Sequence, residues 1–243
     1  MKSYRNILLV ILILNINLIS FAYIPPFTNI NTFNNAKEIH FSFGFGTNGP
    51  EQSFSIAIKK DLYTFINSTF SIDTMLIHDF YSKHYFIEGG LGTINPIGEY
   101  WRIITTGGYA YGEFYSKSNN DYDDFLFFHF NRHDGINYLV HRLFVAINWG
   151  CEFKHFEFYF GGKITVGDYI STNLKKKEHL YGASSLEPNL TVKLGIKQLK
   201  IIAQIRQSLD AFSNNAETIF NQPFQNSFIS FGIELTLNNH NKQ

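Results

Sequence analysis

The sequence predicts an all-β fold, a closed antiparallel up-and-down transmembrane β-barrel of about ten strands, and three observations predict it. Residues 227–237 (SFISFGIELTL) alternate strictly: Ile229, Phe231, Ile233, Leu235 and Leu237 are apolar, with Ser230, Gly232, Glu234 and Thr236 between them. That is the period of a strand with one greasy and one polar face. The rest of the chain repeats the pattern and supplies no amphipathic helix to cover the greasy faces, so closure with the apolar face toward lipid satisfies the backbone. The connections between the runs alternate short and long, as tight turns at one end of a barrel and loops at the other would. A soluble lipocalin-like barrel or jelly roll would carry its apolar face inward and has less reason for such alternation.

Residues 1–22 (MKSYRNILLVILILNINLISFA) place Lys2 and Arg5 ahead of an apolar run, then Ser20 and Ala22 at the spacing of a cleavage site. This predicts a signal peptide, since Asn15 and Asn17 interrupt the run short of the roughly 20 apolar residues a spanning helix needs. Residues 23–37 contain Pro25, Pro26 and several Asn and Thr, and predict an extended segment before the barrel. The barrel itself is assigned to 38–237, followed by a polar tail at 238–243.

The first strand, Glu38 to Gly46, sets Ile39, Phe41, Phe43 and Phe45 on one face. Further strands are predicted at 52–59, 62–72, 83–94, 100–115, 137–149, 155–166, 187–195 and 199–209, before the closing run at 227–237. Short connections fall at 60–61, 95–98, 150–154 and 196–198. Longer ones fall at 73–82, 116–136, 167–186 and 210–226, and only 47–51 is short on that side. An even strand count puts both ends of the barrel on the short-turn side.

The chain carries 20 Lys+Arg and 20 Asp+Glu. Removing residues 1–22 takes away Lys2 and Arg5 and no acid, leaving 18 against 20, a net charge of −2. No basic face points to nucleic acid. Aromatic residues at 17% suit girdles at two interfaces, and a mean hydropathy of −0.11 suits a barrel whose lumen stays polar. Cys151 is the one cysteine and is read as a structural thiol in a short turn. No cofactor is implied, and no metal-ligand spacing appears.

Parity along the strands turns nine charges inward: Glu88, Arg102, Arg142, Glu157, Lys163, Lys193, Lys200, Arg206 and Glu234. About ten strands enclose a narrow lumen, and mixed-sign charges there predict a plug of salt bridges, with a solute pathway as the alternative. Charge on the lipid face, as in Phe158→Arg or Ile233→Arg, is expected to cost more than Thr191→Arg in the lumen.

Three features fall in the predicted loops. Acids and histidines gather at Asp73, His78, Asp79 and His84, and again at Asp121, Asp123, Asp124, His129, His133 and Asp134. Lys175, Lys176 and Lys177 form a basic run suited to anionic lipopolysaccharide. The run FLFFHF at Phe125–Phe130 reads as an extension of its hairpin or a contact surface for a partner protein.

With YIPPFTNINTF, EIHFSFGFG, GGLGTINPIG and FISFGIELTL in view, the chain resembles small outer-membrane β-barrel proteins of Bacteroidota type. The resemblance implies a bacterial outer-membrane location, among outer-membrane lipid and lipopolysaccharide. Such families span channels, adhesins, lipid-modifying enzymes, proteases and subunits of larger complexes, so fold alone does not choose among them. Barrels of this class often end on an aromatic residue, whereas here Leu237 precedes the tail NNHNKQ. Omptin-like proteases, ten-stranded barrels with an Asp pair facing a His-Asp pair, give Asp121, Asp123, His133 and Asp134 a hydrolytic reading. Turn-forming neighbours make solvated loop residues the expectation, and no catalytic residue is assigned. The expected function is a non-enzymatic barrel with a plugged or narrow lumen, structural or interacting through its external loops. A porin-like channel and an omptin-like hydrolase are the alternatives.

Overall fold

Alternating side chains leave each strand's backbone hydrogen bonds to its neighbours, and in a computed structural model of the protein those neighbours form a complete ring. The structure describes residues 30, 32–33, 35–46, 49–75, 80–118, 122–125, 128–130, 133–171, 178–213 and 227–237. The predicted signal peptide at 1–22, most of 23–37 and the tail at 238–243 lie outside the described residues.

The strands are β1 (Ile39–Gly46), β2 (Gly49–Lys59), β3 (Leu62–Met75), β4 (Phe80–Ile97), β5 (Trp101–Ser118), β6 (Tyr122–Phe125) and β7 (Phe128–Phe130). They continue with β8 (His133–Glu152), β9 (Phe156–Ser171), β10 (Glu178–Ile196), β11 (Leu199–Gln207), β12 (Leu209–Ser213) and β13 (Ser227–Leu237). Each main strand pairs antiparallel with the next, and β13 closes the ring on β1 from Ile39↔Leu237 to Gly46↔Ser230. β11 and β12 both lie against β10, as two halves of one stave. β6 and β7 form a separate ribbon between β5 and β8. The fold is thus a closed, up-and-down antiparallel barrel of ten staves.

Several strands run further than periodicity predicted. β4 covers 80–97 against 83–94, β8 covers 133–152 against 137–149, and β10 covers 178–196 against 187–195. Outside an apolar band both faces of a strand can be wet, so alternation fades while backbone pairing continues. The connections predicted at 73–82, 116–136, 167–186 and 210–226 shrink accordingly. Cys151 lies on β8, paired with Trp101 and Phe158, and not in a turn.

The faces follow parity. Leu91, Leu143, Val145, Ile147, Ile164, Val166, Phe231 and Ile233 are exposed on the outside, while Asn67, Glu88, Asn148, Thr191 and Glu234 are buried within. Near the short turns, Trp149 lies between Trp101 and Phe160, with ring centroids at 5.5 and 5.6 Å, and Tyr100 stacks on Phe153 at 5.3 Å. Eight residues further along β5 and β8 come Tyr109 and His141, joined by a hydrogen bond. At about 3.4 Å per residue and a tilt near 40°, the two levels stand about 20 Å apart. That is close to the apolar band of an outer-membrane barrel.

Two inward glycines exist for the rings above them. Tyr63 lies over Gly92 and Tyr159 over Gly150, each pair directly opposite across two strands. A Cβ on either glycine would come within 2.2 Å of the tyrosine ring. The missing side chain is the seat for the aromatic.

The chain before β1 departs from the predicted extended approach. Lys37 adopts the left-handed region, with φ 64°. Its N–H donates to the Ala57 carbonyl at 2.8 Å, and the Ala57 N–H to the Glu38 carbonyl at 2.9 Å. Ile30 and Phe33 are buried in the same apolar cluster as Tyr63 and Tyr159. Residues with apolar side chains find no other cover at this end of the barrel than its interior.

Candidate functional site: the filled lumen

The inward residues divide the lumen into two kinds of wall. β3, β4, β5 and β8 contribute Phe65, Phe86, Ile94, Ile104, Val140 and Phe144 to one apolar cluster. The remaining staves contribute most of the buried charge.

Near the short turns, Glu234 on β13 is the centre of a network. It accepts from Lys193 Nζ at 2.6 Å and faces His40 Nδ1 at 3.4 Å and Lys200 Nζ at 3.6 Å. His40 Nε2 lies 2.9 Å from Glu38, and Lys200 lies 2.6 Å from Glu157. Lys193 also donates to the backbone carbonyl of Ile30, which ties the N-terminal segment to the network. Phe33 sits edge-on to His40 at 4.6 Å and 5.0 Å from Tyr63, flooring the lumen at this end.

Further in, Lys163 on β9 reaches across the barrel to Glu88 on β4 at 3.0 Å and lies 3.3 Å from Glu187 on β10. Arg142 meets Glu187 at 3.2 Å, and Asn67 donates to Glu88 at 2.8 Å. Ser185 donates to Glu187 at 3.0 Å and shares a 2.6 Å hydrogen bond with Thr165. The two cations also lie over aromatic faces: Lys163 Nζ is 5.0 Å from the Phe144 ring and Arg142 Cζ 5.7 Å from Phe86. A second cross-lumen pair joins Arg206 on β11 to Glu51 on β2 at 2.5 Å, beside Ser230.

Of the nine predicted inward charges, Glu88, Arg142, Glu157, Lys163, Lys193, Arg206 and Glu234 are buried in the lumen. Arg102 and Lys200 lie toward the short-turn rim and are partly exposed, Arg102 3.6 Å from Glu152. Parity missed no face but did miss members. Glu187 alternates with Thr191 and Lys193 and could have been found by counting back two residues at a time. Glu51 was hidden in what read as the loop TNGPE, whereas Glu38 and His40 stand on the polar face of the predicted first strand and could have been found by the same parity.

The described members of the acidic and histidine group fall on several strands. His84, expected near a loop, is buried on β4. Asp123 falls on β6, while His133 and Asp134 open β8. Asp121, His78 and Asp79 lie outside the described residues, as do Lys175, Lys176 and Lys177. Of the apolar run, Phe125 falls on β6 and Phe128 to Phe130 on β7.

Chemically, this lumen holds carboxylates against cations, and it is packed with aromatic and aliphatic groups between them. Buried charges of this kind are tolerated when paired and hydrogen-bonded, and strongly destabilising when one partner is removed. The arrangement crosslinks staves that stand three apart around the ring. No protein-family model matches the chain, and no curated protein matches it. What defines it is the barrel: a closed ten-stranded ring, apolar outside, with a filled and charged interior.

Proposed function

We propose that the protein is an integral outer-membrane barrel of Bacteroidota type whose lumen is plugged, and that it acts through the surfaces it displays and not by conducting solute. The single observation that carries this reading is the bridge Lys163–Glu88 between non-neighbouring staves, with Lys163 over the Phe144 ring and Phe33, Phe86 and Phe144 in one buried cluster. A route for solute would have to break a buried ion pair and displace aromatic rings. The band of exposed apolar side chains about 20 Å high between two polar-aromatic levels supports the membrane location. The extension of β4, β5, β8, β9 and β10 beyond that band, with the β6–β7 ribbon, supports display on the long-loop side. A local attraction of Lys175, Lys176 and Lys177 to lipopolysaccharide and a partner protein at Phe125–Phe130 belong to the same proposal.

The test is planar-bilayer conductance of the purified protein together with membrane fractionation. The expected result is recovery with the outer membrane and no stepwise, salt-dependent conductance. Stepwise conductance would replace this reading with the porin-like one. For the hydrolase reading, Asp123→Ala and His133→Ala are expected to change no peptide cleavage. Cleavage of a basic peptide by the wild type that both variants lose would make that region an active site.

A further inference from the structure

The two rims of the barrel differ in charge. At the short-turn rim the exposed charged residues in the turns and at the chain's entry are Lys37, Lys59, Lys60, Lys154 and Lys197 against Asp61 and Glu99, a balance of 5 − 2 = +3 among the described residues. Over segments 70–84, 112–139, 167–186 and 207–226, which hold the long connections expected from the sequence, the chain carries 11 acids and 6 Lys or Arg, a balance of −5.

The positions of the lysines matter more than their number. Lys59 and Lys60 follow Ile58, Lys154 follows Phe153 and Lys197 follows Ile196, and each of those apolar residues is half exposed on the outer face. The same level holds the Trp101–Trp149 and Tyr100–Phe153 ring pairs. Each of these turns therefore sets an ammonium group one or two residues beyond the edge of the apolar band. Aromatic rings and lysine stems both settle at the boundary of hydrocarbon and water, with the charged end outward. That is the depth of lipid phosphates.

We propose that the short-turn rim is a binding surface for anionic phospholipid headgroups, with Lys37, Lys59, Lys60, Lys154 and Lys197 as the groups that hold them. A lipid surface fits better than an acidic protein because the lysines are spread over three turns, β2–β3, β8–β9 and β10–β11, with Lys37 at the chain's entry, and not gathered in one patch. The surface selects a leaflet: the positive rim faces the phospholipid leaflet and the acidic end faces away. This rests on the membrane location proposed above.

The test uses the full chain folded into vesicles of phosphatidylcholine, with or without about one-third phosphatidylglycerol. Heat-dependent mobility on gels reports insertion. Spin-labelled phosphatidylglycerol and phosphatidylcholine, each as a trace probe, report which lipid the barrel retains. The expected result is insertion in both vesicles and a preference for phosphatidylglycerol of about fivefold at a lysine-flanked site. Salt near 1 M should remove it, since screening is then nearly complete. Replacing all five lysines with Gln should abolish the preference and leave insertion intact, because all five are exposed. Insertion with equal retention of the two lipids, or a preference that survives the five substitutions, overturns the lipid surface alone. Failure to insert into either vesicle overturns the membrane location and the lipid surface together.

Discussion

Lys193→Met tests the charge network at its most connected point. Methionine keeps the length of the side chain and removes its charge. The lysine donates to Glu234 at 2.6 Å and to the carbonyl of Ile30, in a site where the Glu234 side chain has 0% exposure. Removing one partner of a buried pair costs about 3–5 kcal/mol. Here His40 and Lys200 remain at 3.4 and 3.6 Å from Glu234, which puts the loss near the low end, about 3 kcal/mol. The unpaired Ile30 carbonyl adds about 1 kcal/mol, for a total near 4. Adding Glu234→Gln removes the stranded charge. His40 keeps Glu38 and Lys200 keeps Glu157, so the double variant should recover about 2 kcal/mol of that loss. Urea unfolding of the barrel in vesicles, followed through Trp101 and Trp149 fluorescence, measures both. A single variant within about 1 kcal/mol of wild type, or a double variant less stable than the single, would refute the network as the cause.

Four further outcomes are expected. Ile164→Arg puts a charge on an outward side chain that is 59% exposed, between the two aromatic levels, and should cost about 2–4 kcal/mol in the same assay; a neutral result would reverse the face assignment. Thr191→Arg, which sequence reasoning made mild, should also destabilise by about 1–3 kcal/mol, because Thr191 is buried and accepts a hydrogen bond from Gln204 at 2.7 Å. Gly92→Ala drives a methyl into the Tyr63 ring and should destabilise, whereas Gly92→Ala combined with Tyr63→Ala should be less disruptive than the sum of the two; simple additivity would mean the ring does not depend on the glycine. Phe33→Ala should cost about 3–5 kcal/mol yet leave the bilayer silent, since Phe65, Phe86 and Phe144 still fill the lumen above it; steady conductance in that variant would make the N-terminal segment the plug.

Strand number, order and facing were readable because a two-residue period survives wherever one face is apolar and turned outward and the other lines a polar interior. Ile229 through Leu237 carry that signal without interruption. Past the apolar band the signal stops while the strands continue, so the upper parts of β8 and β10 read as loops. The inward charges could be named from parity, but not their partners: Lys163 meets Glu88 from a strand 75 residues away in sequence, and only the curvature of the closed ring brings them together. The entry of Ile30 and Phe33 into the lumen had no periodic signature at all. Two apolar residues in an Asn-rich segment look like coil until a cavity is there to receive them.

The Glu234 network straddles the joint where the ring closes. Glu234 comes from the last strand, His40 from the first, and the two strands meet in a register that sets Glu234 opposite Ser42 and Thr236 opposite His40. Until that joint forms, Glu234 can meet Lys193 and Lys200 from its own side of the open sheet, and only its contact with His40 waits for closure. A slip of one residue would turn Glu234 or His40 onto the outer apolar face; with that face in a membrane, as proposed, the Glu234 carboxylate would cost about 2–3 kcal/mol or more there. The joint therefore checks itself. The strand synthesised last thus carries the group, Glu234, that distinguishes the right closure from its one-residue neighbours.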